Sequence, residues 1–271
     1  MFDPLLVQGA AALIILLMGI FIFKRYPLTK DLRSMNLCGF FAILSILLSY
    51  LSIQLPLFGF DSFRIGFAQI MLVIGGSLVA PGWAFLMGIV ADFLGILVQP
   101  TGYPFLGFTL NSVLACVIPS LWYYHKKSKL DEQSMLKLVD ILLVLLSCFA
   151  AFYVMNADTI KVSGTVVTFE PLLKIAVLFV CVAVSISLIL VLHFIKYKMK
   201  ESQVNALSHW VFTVLIIEIV IQFCCTPFWL EVMYGIPWTA SLFLRVIKAC
   251  VMIPCNTLIG YATIKVLNKV K

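Results

Sequence analysis

Nine stretches of this chain, at about 5–23, 36–55, 66–80, 83–98, 104–124, 138–155, 172–194, 206–225 and 240–264, are almost uninterrupted runs of apolar side chains. A helix crosses a bilayer with about 20 mostly apolar residues. In hydrocarbon the backbone must bond to itself, so helices and closed barrels are the spanning structures available. Continuous runs of this length read as helices, and the chain is expected to be an all-α integral membrane protein. Composition agrees: 63% hydrophobic and 11% charged stand against about 45–50% and about 25% in soluble domains.

The loops between these runs are short, which leaves no room for a soluble catalytic or ATP-hydrolysing head of on the order of 100 residues. No G-x-x-x-x-G-K-[ST] phosphate loop, H-E-x-x-H or G-x-S-x-G occurs, so neither nucleotide hydrolysis nor the common hydrolase chemistries are expected here. The net charge of +7 is an orientation signal and gives no reason to expect a nucleic-acid partner. With the N-terminus outside, the inner loops collect 14 of the 19 Lys and Arg residues: Lys24, Arg25, Lys30, Arg33, Lys126, Lys127, Lys129, Lys137, Lys196, Lys198, Lys200, Lys265, Lys269 and Lys271. The remaining five are Arg64, Lys161, Lys174, Arg245 and Lys248, a split that obeys the positive-inside rule. Asp3 precedes the first run and Lys24-Arg25 follow it, the reverse of a signal peptide, so a retained helix is expected.

Eight cysteines fall inside the predicted spans without a C-x-x-C or Cys/His spacing, so no metal site is expected and the thiols read as small buried hydrophobes. His125, His193 and His209 sit at inner helix ends, where an interfacial role is the default. The informative residues are the few polar ones inside the runs, because an ionisable group in hydrocarbon is costly unless it faces a cavity or a partner. These are Asp92, Asn111, Glu218, Gln222, Arg245 and Lys248. At about 1.5 Å per residue Asp92, Asn111, Glu218, Arg245 and Lys248 lie roughly 8–12 Å from the outer ends of four helices, a single outward-opening layer carrying both signs. Glu218 and Gln222 are spaced to share a helix face, as are Arg245 and Lys248. A buried ion pair that fixes helix packing is the alternative reading for any one of them.

Two outer connections face this layer. One is Gln99-Pro100-Thr101-Gly102-Tyr103-Pro104, a tight turn; the other runs from Thr226 to Trp238 and is rich in aromatics and breakers. Trp229, Tyr234 and Trp238 read either as an interfacial aromatic belt or as a lid of aromatic faces suited to a flat heterocycle.

Several blocks then resemble a known family. Arg64-Ile65-Gly66-Phe67, Ala80-Pro81-Gly82-Trp83, Gly88-Ile89-Val90-Ala91-Asp92-Phe93-Leu94-Gly95, Pro100-Thr101-Gly102 and Gly107-Phe108-Thr109-Leu110 resemble the substrate-binding S component of energy-coupling-factor (ECF) vitamin transporters, the folate-specific subfamily above all. Trp229-Leu230, Tyr234-Gly235, Arg245-Val246-Ile247-Lys248 and Met252-Ile253-Pro254 continue the likeness. It covers about 35–124 and 205–267. Asn111 stands where the family has a small residue or Thr, and Ala249 where it has Asn.

The resemblance implies a six-helix S-component core with about three additional transmembrane helices. Segment 1–34 would be an extra helix and basic loop, 35–124 core helices one to four, 125–204 an inserted helix pair, and 205–271 core helices five and six. It implies a non-enzymatic subunit without cofactor that captures folate at the outer face. Its partners would be an energy-coupling transmembrane subunit, two ATPase subunits and the lipid bilayer. Asp92 or Asn111 would bond the pterin edge and Trp229 or Tyr234 would stack on a ring. Arg64, Arg245 and Lys248 would hold the glutamate carboxylates, with Glu218 in the same layer. Pantothenate, thiamin or riboflavin are alternatives, though a substrate without carboxylates leaves Arg245 and Lys248 without an anionic partner. Cys38, Ala42, Ser45 and Ser49 form a small-residue stripe on the second span, which reads either as a docking face for the coupling subunit or as internal packing.

Overall fold

A computed structural model describes residues 3–28, 30–57, 60–98, 104–124, 132–156, 159–162, 165–168, 171–198 and 201–269. Every expected apolar run contains a helix, though the run at 36–55 ends in strand residues from Ile53 on. The helices are α1 (Pro4–Arg25), α2 (Leu32–Tyr50), α3 (Ala68–Leu78), α4 (Pro81–Val98), α5 (Leu106–Tyr124), α6 (Glu132–Asn156), α7 (Pro171–Lys198), α8 (Glu201–Ile217), α9 (Thr226–Tyr234) and α10 (Trp238–Lys269). A π-helical segment, Glu218–Cys225, joins α8 to α9. Among the described residues, eight helical stretches are long and apolar enough to cross a membrane, with α8, the π segment and α9 counting as one. Helix α3, with 11 residues, corrects the expectation of nine full spans, because it is about half the length a perpendicular crossing takes.

Two β-hairpins accompany the helices. Strands β1 (Ile53–Leu57) and β2 (Phe60–Ile65) pair antiparallel with an irregularity between Leu55 and Leu57, where Pro56 has no N–H to give the ladder. Strands β3 (Thr159–Val162) and β4 (Thr165–Thr168) pair in regular register. Their β-branched content suits a pleated ribbon better than a helix. Both lie between long helices, so the membrane-spanning part remains helical.

The chain divides into two compact units, one comprising Met1–Ser128 with Cys224–Tyr234 and the other Lys129–Phe223 with Gly235–Lys271. Helix α1 falls in one unit with α2 to α5.

In the first unit, the local chemistry sets the helix ends. Asp3 caps α1 by accepting from the Leu5 N–H at 3.0 Å, Pro4 occupies the first turn, where its missing N–H costs nothing, and Lys24 and Arg25 close the last turn. Asp31 caps α2, accepting from the N–H groups of Arg33 and Ser34 and from the Ser34 hydroxyl. The Ser34 hydroxyl, and then the Arg33 N–H, hold the Asp31 carboxyl below the usual carboxylate range.

Glycines let the helices close. A Cβ on Gly88 of α4 would meet the Val113 Cα at 2.6 Å and the Ser112 carbonyl oxygen at 2.9 Å on α5. Helix α3 ends at a buried carbonyl, Val79 O, which accepts from the Ser120 hydroxyl of α5 at 2.7 Å. Such a group would otherwise be orphaned in an apolar interior.

In the second unit, polar side chains stitch α6, α7 and α10 together. The Ser147 hydroxyl of α6 donates to Ser185 of α7 at 2.6 Å, and His193 of α7 lies 3.8 Å from Asp140 of α6. The Tyr153 hydroxyl donates to the Thr239 carbonyl. Trp210 of α8 is fully buried and donates its indole N–H to the Asn256 carbonyl of α10 at 3.2 Å.

Candidate functional site

Among the described residues, two of the polar clusters within apolar helices contain the residues singled out from sequence, one in each unit. In the first unit, Asp92 projects from α4 towards α5. One of its carboxylate oxygens accepts from Thr109 at 2.6 Å and the other from Ser112 at 3.2 Å. Thr109 and Ser112 are one helical turn apart, so they reach one carboxylate together. Next along α5, Asn111 uses both ends of its amide. Its Nδ2 donates to the Thr226 hydroxyl at 3.1 Å, and its Oδ1 accepts the indole N–H of Trp229 at 3.1 Å.

These bonds tie α5 to α9 and correct the reading of 226–238 as an aromatic loop. Residues 226–234 are a helix. Trp229 is 6% exposed, packed with Phe105, Leu110 and Val7 of α1, and its ring meets Phe105 edge-on with centroids 5.6 Å apart. A ring buried on that scale anchors α9. Tyr234, at the end of α9, is 55% exposed, and Gly235 follows with φ 64°, the left-handed conformation that stops a helix.

In the second unit, Glu218 and Gln222 lie on the π segment, both buried. Pro227 has no N–H to return to the carbonyl one turn earlier, so the α ladder must change hereabouts, and π turns are frequent at functional sites. The Arg245 guanidinium of α10 donates to the Gln222 side-chain carbonyl and, through Nε, to the Ser241 hydroxyl at 3.2 Å. Glu218 feels the charges of Lys248 and Arg245 and accepts from Asn256 Nδ2 at 3.4 Å. Glu218, Gln222, Ser241, Arg245 and Asn256 thus form one polar cluster between the π segment and α10.

Sequence reasoning identified Asp92, Asn111, Glu218, Gln222, Arg245 and Lys248, and the structure gives each of them a polar or electrostatic neighbour. Arg64 lies on β2, opposite Gln54; its side chain, like the turn at 99–103, lies outside the described residues. Thr109, Ser112, Thr226, Ser241 and Asn256 were missed. Helix periodicity is the signal that finds Ser241 and Asn256, which fall near the Arg245 face one turn before it and about three turns after it.

The small-residue stripe of α2 is internal. Cys38, Ala42 and Ser45 are buried, Cys38 donating to the Trp83 carbonyl and Ser45 to the Ala68 carbonyl at 3.0 Å, while Ser49 is half-buried. On this face Cys38 meets α4 and Ser45 meets α3. Cys148 and Cys224 also depart from expectation, being exposed.

No family model matches the chain. The folate transporter FolT of Clostridium novyi (strain NT) is 33% identical over 119 residues, covering 44% of this chain and 65% of that protein. Over that stretch, the chain is similar to a folate transporter. It spans about two thirds of that relative's length, just under that fraction at 65%. A crystal structure of FolT bound with folic acid aligns over 85% of this chain and 93% of its own, with a TM-score of 0.48 and 20% identity. The described residues supply eight helical stretches fit to cross a membrane, so the chain is a multi-pass helical membrane protein.

Proposed function

We propose that this chain is a folate-binding S component of an ECF-type importer, capturing folate at the outer face for uptake driven by a separate coupling subunit and two ATPases. The identity to the Clostridium FolT over 119 residues carries the reading. The chemistry of the second centre supports it: the Arg245 guanidinium sits inside the apolar helices, bonded to Gln222 and Ser241, and a guanidinium is suited to a carboxylate. Folate brings two carboxylates, and an Arg held by Gln222 and Ser241 is oriented in advance for one.

Asp92 and Asn111 are the candidates for the pterin edge, Tyr234 for ring stacking, and Arg64, Arg245 and Lys248 for the carboxylates. In the same reading α1 and the α6–α7 pair are additions to a six-helix core. The test is a tryptophan-fluorescence titration of the purified chain with folic acid beside thiamin, riboflavin and pantothenate. Saturable quenching by folic acid alone, lost in Arg245→Ala, is the expected result; a flat response to folic acid with saturation by another vitamin overturns the substrate assignment.

A further inference from the structure

Two cysteines meet where the α6–α7 pair joins α10. Cys250 of α10 donates to the sulfur of Cys181 of α7 at 3.4 Å, across a sequence separation of 69 residues. Cys181 is buried and Cys250 half-buried, and both are free thiols. The backbones around them are held by independent contacts: Ser185, one turn after Cys181, donates to the Cys181 carbonyl at 2.9 Å and is bonded to Ser147. The Cys250 thiol also reaches the Val246 carbonyl of its own helix.

A disulfide needs its sulfurs at about 2.04 Å, so about 1.4 Å of approach separates the thiol pair from the bond. Rotation about the two Cα–Cβ bonds is the motion that brings sulfurs in van der Waals contact together. Buried cysteines elsewhere in the chain serve as small apolar fillers, but two thiols in contact on different helices have a chemistry that one does not.

We propose that Cys181 and Cys250 form an oxidisable dithiol whose disulfide staples α7 to α10, the helix that carries Arg245 and Lys248. The oxidant is a small neutral hydroperoxide, a class able to enter an apolar interior. One thiol takes the terminal peroxide oxygen as its O–O bond breaks, giving a sulfenic acid and an alcohol. The second sulfur then displaces that oxygen, the S–S bond forms, and water leaves. Two thiols and one hydroperoxide thus give one disulfide, one alcohol and one water, with two electrons passing from sulfur to oxygen.

The full-length chain in lipid nanodiscs is treated with tert-butyl hydroperoxide, unfolded, and its remaining thiols counted with maleimide and mapped by mass spectrometry. The expected result is the loss of two of eight thiols and a peptide linking Cys181 to Cys250, reversed by dithiothreitol. Cys250→Ala, at the half-buried position, retains all of its remaining thiols. The oxidised chain unfolds at a higher temperature than the reduced chain, because the bond closes a long loop. A full thiol count after oxidation overturns the proposal, and so does a linkage that joins other cysteines or persists in Cys250→Ala. None of these readouts depends on folate binding.

Discussion

The indole N–H of Trp229 donates to the side-chain carbonyl of Asn111 at 3.1 Å, and Asn111 passes its own amide on to Thr226 at 3.1 Å. One amide thereby fixes both the start and the middle of α9 against α5. Asn111→Ala strands a buried indole donor, which costs about 1–3 kcal/mol. Thermal unfolding checks this, and Trp229→Phe in the Asn111→Ala background should cost less than in the wild type. Equal costs in both backgrounds would show that the bond contributes nothing.

Arg245 combines two roles that substitutions can separate. Removing it takes the charged donor from Gln222 and Ser241, a loss of about 1.5–3 kcal/mol for hydrogen bonds to a charged group. Arg245→Ala with Glu218→Gln should recover part of that stability while folic acid affinity stays at least roughly tenfold down, about 1.4 kcal/mol. Recovery of affinity in the double variant would remove Arg245 from the ligand.

Ala42 is 2% exposed on the face of α2 that meets its neighbours. Ala42→Trp should overpack that contact by about 1–3 kcal/mol or more, so folded yield and folic acid binding fall together. Gly39, on the exposed face of the same helix, has open space beyond it, and Gly39→Trp should leave both intact. Normal binding by Ala42→Trp would return that stripe to the surface.

Gly88 is where α4 and α5 come closest to backbone contact. Gly88→Ala must push Ser112 and Val113 away and so loosen the bond from Ser112 to Asp92, at about 1–3 kcal/mol. Denaturant unfolding reads the loss, and Ser112→Ala should add less to Gly88→Ala than it costs alone.

Asp31 gives a sign for acid sensitivity. Its folded carboxyl titrates below the unfolded one, so the stabilisation by this cap is present above the unfolded value and fades as pH falls through the folded one. Asp31→Asn keeps an acceptor at the cap, and its unfolding temperature should lose that part of the pH dependence. An unchanged pH profile would mean that the cap does not couple to folding.

The helical membrane architecture was legible in the sequence because it depends on sums: length, apolarity and charge asymmetry in each run decide insertion, whatever the neighbours. The rare polar residues were legible for the same reason, as each is expensive wherever its helix packs. What required tertiary structure was direction and partnership. Trp229 looks the same in a lid as in a core, and only the packing of Phe105, Leu110 and Val7 around it, with Asn111 at its N–H, made it an anchor. Ala42 and Ser45 suit close approach to any helix, and the placement of α3 and α4 decided which. The π turn that carries Glu218 and Gln222, the short α3 and the two hairpins also depend on contacts that no local pattern encodes. Composition fixes the solvent a segment prefers, whereas the identity of a neighbour is a property of two segments at once, and only folding brings them together.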